Sequence, residues 1–302
     1  RLSPLMPLSS TQPVDIGRLI DDGRWTGYQR WLVALVAMTI VFDGIDNQLL
    51  GIVIPTVMKE WGVARGAFAP VVSLGYLGMM IGGLVAGLAG DRLGRRTALL
   101  GSMVGFGVMT LAAALVDSPT SLGVLRLLAG IGLGGAMPNA AALAAEYVPL
   151  RQRPIAVTVT IVCVPLGATF AGLLGIRLLP ALGWRMLFVL GGLVPLVAAF
   201  VLRGLLPESP RFLARHESRW RELFEVMPKM GHLIPAGTRF TDTSAQSVTR
   251  VSIGALFGAE WRRDTLALWG AFFFCLFSVY LGFSWLTSLL TSAGFDPATD
   301  RK

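Results

Sequence analysis

The sequence predicts an all-α membrane protein: a six-helix transmembrane half, a central cytoplasmic loop and a seventh transmembrane helix. Three observations predict it. Of 302 residues, 54% are hydrophobic and only 15% charged, whereas ordinary soluble domains carry roughly 25% charged residues. Seven runs are apolar over the ~20 residues needed to cross a hydrocarbon core. The basic residues gather on alternate turns between those runs.

Residues 1–30 form an N-terminal segment. In "VDIGRLIDDGRWTGYQRW", Val14, Leu19 and Ile20 recur at helical spacing among charges. That spacing predicts a short amphipathic helix on the cytoplasmic interface, or equally a solvated leader. No signal-peptide core is visible there, and because the chain opens on Arg1 an earlier start is expected. Residues 31–206 contain six spans, at about 31–55, 68–89, 97–116, 122–144, 155–176 and 185–206. Residues 207–263 are polar and basic, and "RFLARHESRWRELFEVM" within them predicts a short amphipathic helix followed by a Ser/Thr-containing link. Residues 264–291 carry the seventh span, and 292–302 form an outer-side tail. Nineteen of the 26 Lys and Arg fall on segments or span ends sharing a side with the N-terminus, six fall on the other side, and Arg126 alone lies within a span away from its ends. Positive charge collects on the cytoplasmic side, so the N-terminus is expected inside.

Several function classes are excluded. The charge of +8 is spread over membrane turns, which argues against nucleic acid as a partner. Cys163 and Cys275 sit in separate apolar runs and read as small buried hydrophobes. His216 and His232 are too few for a metal site, and no nucleophile–base pair survives, so no enzyme is expected. Gly130, Gly132 and Gly135 of "RLLAGIGLGGAMPNA" fit G-x-G-x-x-G, but no strand precedes them. Small residues that let helix backbones approach closely are the better reading.

The chemistry lies in "VFDGIDNQLL". Asp43 and Asp46 are three residues apart, hence on one helix face. At ~1.5 Å per residue from Trp31 they lie ~18 and ~22 Å into a ~30 Å core. An ionised Asp there costs roughly 2.5–3.5 kcal/mol on insertion scales, so these residues should face a wet cavity or a partner. Gly44 between them thins the helix. Arg126, entering from the outer side, reaches the depth of Asp46 and is the natural partner. One carboxylate is expected to exchange a proton while Arg126 balances it or meets a substrate carboxylate. The bland alternative is a bridge that only joins two helices.

"GLAGDRLGRR" resembles the loop between the second and third helices of the major facilitator superfamily, with Gly87, Asp91, Arg92, Gly94, Arg95 and Arg96 matching its pattern. "RLLAGIGLGG" is similar to that superfamily's fourth-helix motif, and "PESPRFL" to the start of its central loop in sugar porters and organic-acid symporters. The Asp-Gly-x-Asp of "FDGIDNQLLG", with "AMPNA", "EYVPLRQR" and "IDDGRWTGYQ", resembles the aromatic acid:proton symporters. The resemblance implies uptake of a 4-hydroxybenzoate-like carboxylate with a proton across the inner membrane, without a cofactor. It adds Asn47, Asn139, Tyr280 and Trp285 as cavity residues, although an interfacial belt explains the last two equally well. It makes Gly87 to Arg96, with Glu146, a gate whose bridges hold the inward side closed; fixing orientation alone is the competing role. Members have twelve helices, so a seven-helix chain is expected to be a fragment. A truncated non-transporting protein or a piece of a sugar porter-like carrier are the alternatives.

Overall fold

The computed structural model describes residues 13–235, 237–242 and 253–292. Its helices are α1 (Ile16–Asp21), α2 (Gly27–Trp61), α3 (Ala69–Leu93), α4 (Arg95–Ala113), α5 (Pro119–Tyr147), α6 (Arg153–Leu205), α7 (Pro210–Ala214), α8 (Trp220–Val226) and α9 (Arg262–Ser292). Two short strands, β1 (Val14–Asp15) and β2 (Phe240–Thr241), pair in parallel. Among the described residues, five helices, α2 to α6, are long and apolar enough to cross a membrane. Residues 244–302, including α9, form a separate compact unit.

Helix starts follow local chemistry. Thr26 and Gln29 close a reciprocal capping box at α2, the Gln29 side chain accepting from the Thr26 N–H at 2.7 Å. Ser118 caps α5 and Pro119 fills its first turn. Helix α6 holds both the fifth and sixth expected spans. Gly183, at φ 75° and ψ 172°, breaks it where a side chain would be strained. Each arm is long enough for a ~30 Å core, and the two arms meet at a one-residue corner.

Glycines set the packing. A Cβ on Gly78, Gly82, Gly130 or Gly134 would fall 2.0–2.3 Å from a backbone oxygen across the α3–α5 seam. Gly44 and Gly167 do the same between α2 and α6. Where lipid replaces water, such close approach supplies the packing attraction between helices. Gly130, Gly132 and Gly135 therefore serve contact between helices, as their membrane-length setting suggested.

The N-terminal segment differs from expectation. Ile16 and Ile20 are fully buried, not laid on a lipid interface or left in water. They pack with Leu213, Leu223, Met227, Met230 and Phe240 of the stretch after α6. Apolar groups bury against whatever apolar surface is nearest, and here it is protein. Asp21 bridges Arg211 at 2.9 Å and also Arg153 on α6. The helix expected over "RFLARHESRWRELFEVM" is likewise broken into α7, a 3-10 turn at Glu217–Arg219, and α8. The Trp220 ring N–H donates to the Ala214 carbonyl at 3.1 Å, a group a continuing helix would need. Arg219 forks onto Glu222 at 2.6 and 2.7 Å and holds that carboxyl below the usual range.

Candidate functional site

At mid-length of α2, Asp43 is 5% exposed and Asp46 fully buried. Arg126 of α5 donates to Asp46 Oδ2 at 2.9 Å, and Thr110 of α4 donates to Asp46 Oδ1 at 2.5 Å. The Arg126 guanidinium stands 4.9 Å over the Phe188 ring on the second arm of α6. Four helices thus converge on one ion pair. Its members are 0% and 5% exposed, so each charge depends on the other in a medium that screens little.

Three buried atoms of this site remain without a hydrogen-bond partner. Asp43 Oδ1 has no donor, and Arg126 Nε and Nη2 have no acceptor. Arg126 also forms part of the wall of a cleft of about 180 Å³ between α2, α3 and α5, together with Asn47, Gln48, Tyr76 and Met79. A guanidinium edge beside a cleft is suited to a planar carboxylate, which it can grip with two N–H groups. Gly44 lies against the Val164 carbonyl, where a Cβ would be 2.1 Å away. It lets α2 and α6 touch beside the carboxylates.

Asn139 lies outside that cleft. It is fully buried, and its amide donates to the carbonyls of Ala86 at 3.0 Å and Gly135 at 2.9 Å. The side chains of Tyr280 and Trp285 fall outside the described residues. Thr110 and Phe188 were not singled out by sequence, since a lone Thr or Phe in an apolar helix gives no signal. No group of three His, Cys, Asp or Glu side chains suited to a metal occurs among the described residues.

The second cluster sits where the α3–α4 turn, the ends of α5 and of the second arm of α6, and the segment leading into α7 meet. Arg95 pairs with Asp91 at 2.5 Å and with Glu146 at 3.6 Å. Glu146 also accepts from the Ser209 hydroxyl, and Arg96 donates to the Arg203 carbonyl. Arg92 is exposed at the end of α3, and Gly87 faces open space. The residue missed here is Glu208. It is fully buried and accepts from the Arg96 N–H at 2.9 Å and the Thr97 N–H at 3.4 Å. It thereby caps α4 with a charge that the helix N-terminus favours. Gly94 makes this possible twice over: its φ is 103°, and a Cβ there would be 2.2 Å from Glu208 Oε2. Tyr147 reinforces the dock by donating to the Pro207 carbonyl. Glu208→Ala is expected to destabilise the fold by about 1.5–3 kcal/mol, the value of hydrogen bonds to a charged group. Thermal unfolding of the purified protein would check it, with Glu208→Gln in between.

At the opposite end of the bundle, Glu60 accepts from Trp184 at 2.6 Å and from Arg185 at 2.5 Å, and Arg185 reaches Asp117 at 2.6 Å. This ties α2 and the turn after α4 to the corner at Gly183.

Comparison with known proteins adds identity to this geometry. The chain is 39% identical to a gallate transporter of Pseudomonas putida, over 93% of its own length and 63% of the relative's. It is 38% identical to the 4-hydroxybenzoate transporter PcaK of Acinetobacter baylyi, over 93% and 62%. The chain therefore spans less than two thirds of the length of these curated relatives. In fold it is similar to the partially occluded inward-open xylose transporter XylE from E. coli, with TM-score 0.58 and 19% identity over 67% of this chain and 54% of that one. A profile described as Major Facilitator Superfamily matches residues 36–300, nearly the whole sequence, and the chain belongs to that superfamily.

Proposed function

We propose that the carrier containing this chain takes up an aromatic carboxylate together with a proton across the inner membrane. The N-terminus and the Glu208 cluster lie on the cytoplasmic side in this reading, because the basic turns collect there. The observation that carries it is the buried Asp46–Arg126 bridge beside a cleft, with a second carboxylate one turn away. The relatives named for gallate and 4-hydroxybenzoate supply the substrate class.

Coupling follows from charge. An anionic substrate approaching Arg126 meets the negative charge of Asp43 and Asp46 at low dielectric, where like charges repel strongly. A proton on one carboxylate relieves that repulsion, so substrate and proton favour each other's entry. Arg126 offers its unpaired N–H groups to the substrate carboxylate, and Asn47 and Tyr76 line the same cleft. No cofactor is needed, and the proton is the coupling ion. The Asp91–Arg95–Glu146 bridges act as part of the cytoplasmic gate.

The test is uptake of labelled gallate or 4-hydroxybenzoate by cells making the carrier, with and without a protonophore. Asp43→Asn or Asp46→Asn is expected to abolish proton-driven accumulation. Normal proton-driven uptake by both variants would end this reading.

A further inference from the structure

We infer that Thr110 decides which of the two mid-span carboxylates carries the exchangeable proton, by completing a charged bridge at Asp46 and leaving Asp43 to take it. The two groups share a helix face and a depth, yet their surroundings differ. Both oxygens of Asp46 are occupied, Oδ1 by the Thr110 hydroxyl at 2.5 Å and Oδ2 by Arg126 at 2.9 Å. A carboxylate held by two donors, one of them charged, is stabilised in its ionised form. Protonating it would strand the Arg126 charge in a buried site.

Asp43 has no such support. Its Oδ1 is buried and accepts from nothing. A proton there removes an uncompensated charge and breaks no bond. The helices packed around the pair add few other titratable groups at this depth: Arg126 on α5, Tyr76 on α3 and Cys163 on α6. Helix α4 adds none, because its only charges, Arg95 and Arg96, lie in its first turn. Thr110 is therefore what α4 contributes, and it acts as a positioning residue through Asp46. Without its hydroxyl, Asp46 would keep one donor and one bare oxygen, and the two carboxylates would compete for the proton. The consequence for transport rests on the carrier reading above; the division of the proton does not.

The experiment reads protonation directly. The purified protein in lipid nanodiscs is titrated with pH, and infrared difference spectra follow the C=O stretch of protonated carboxylic acid, identified by its shift in heavy water. In the wild type, a titrating buried band is expected that Asp43→Asn removes and Asp46→Asn leaves. Thr110→Val should add a second component that disappears in Thr110→Val/Asp46→Asn, while Thr110→Ser restores the single band. Loss of the wild-type band in Asp46→Asn but not in Asp43→Asn would overturn the inference even if Thr110→Val failed to fold. So would a Thr110→Val spectrum identical to that of the wild type. Because no transport is required, a protein that moves no aromatic acid would sink the carrier reading and leave this one to be judged on its bands.

Discussion

Arg126→Ala is expected to lower the stability of the helical bundle by about 3–5 kcal/mol, the usual effect of removing one member of a buried ion pair. The loss comes less from the missing attraction than from what stays behind. Asp46 is fully buried, and Thr110 alone cannot offset its charge. The distinguishing measurement is a double-mutant cycle on thermal unfolding. Adding Asp46→Asn to Arg126→Ala should recover most of the loss, because removing both charges leaves neither stranded. Arg126→Lys should fold better than Arg126→Ala yet still fail in uptake. An ammonium is a point charge and cannot hold Asp46 while presenting an N–H edge to the cleft. A Lys variant with normal uptake would argue for a bridge that only joins helices.

Gly134→Val is expected to be as damaging, for steric reasons alone. Its Cβ would fall 2.0 Å from the Met79 carbonyl oxygen and 2.7 Å from two further backbone atoms. Backbone cannot swing aside as a side-chain tip can, so α3 and α5 must separate. Overpacking typically costs 1–3 kcal/mol, and a seam of four such glycines puts this one at or above the top of that range, at about 3 kcal/mol. Gly101→Ala on α4 is the control. Nothing lies within 4 Å of the Cβ it would add, so it should be neutral or stabilising by up to ~1 kcal/mol. Unfolding midpoints of the two variants in one detergent would decide; equal midpoints would refute the packing account.

The parts of the site that the sequence revealed were those where a residue type contradicted its setting. Charges are rare in apolar runs, so Asp43, Asp46 and Arg126 stood out, and helical rise alone matched Arg126 to Asp46 in depth. Thr110 had no such contrast. A Thr in a membrane helix commonly returns its hydroxyl to its own backbone, as Thr160 does to Ala156 at 2.8 Å. Nothing in the string marks the one that reaches across. Asn139 entered as a cavity residue through the family resemblance, which carries no azimuth, and its amide in fact turns to the Ala86 carbonyl on α3. Glu208 was visible inside "PESPRFL", but its capping role depends on a contact 112 residues away. The spans expected at 155–176 and 185–206 leave eight residues between them, whereas the chain turns at Gly183 alone, at positive φ. Likewise, the apolar repeat of Val14, Leu19 and Ile20 indicates a covered face but carries no record of what covers it.

The parallel pairing of Val14 with Phe240 bears on biosynthesis. The first strand leaves the ribosome before helices α2 to α6, and its partner follows 226 positions later. At ~5–20 residues per second, Ile16 and Ile20 wait roughly 10–45 s for the groups that will bury them. An apolar segment therefore stays uncovered while α2 to α6 are made, and its docking reports that synthesis has passed Phe240.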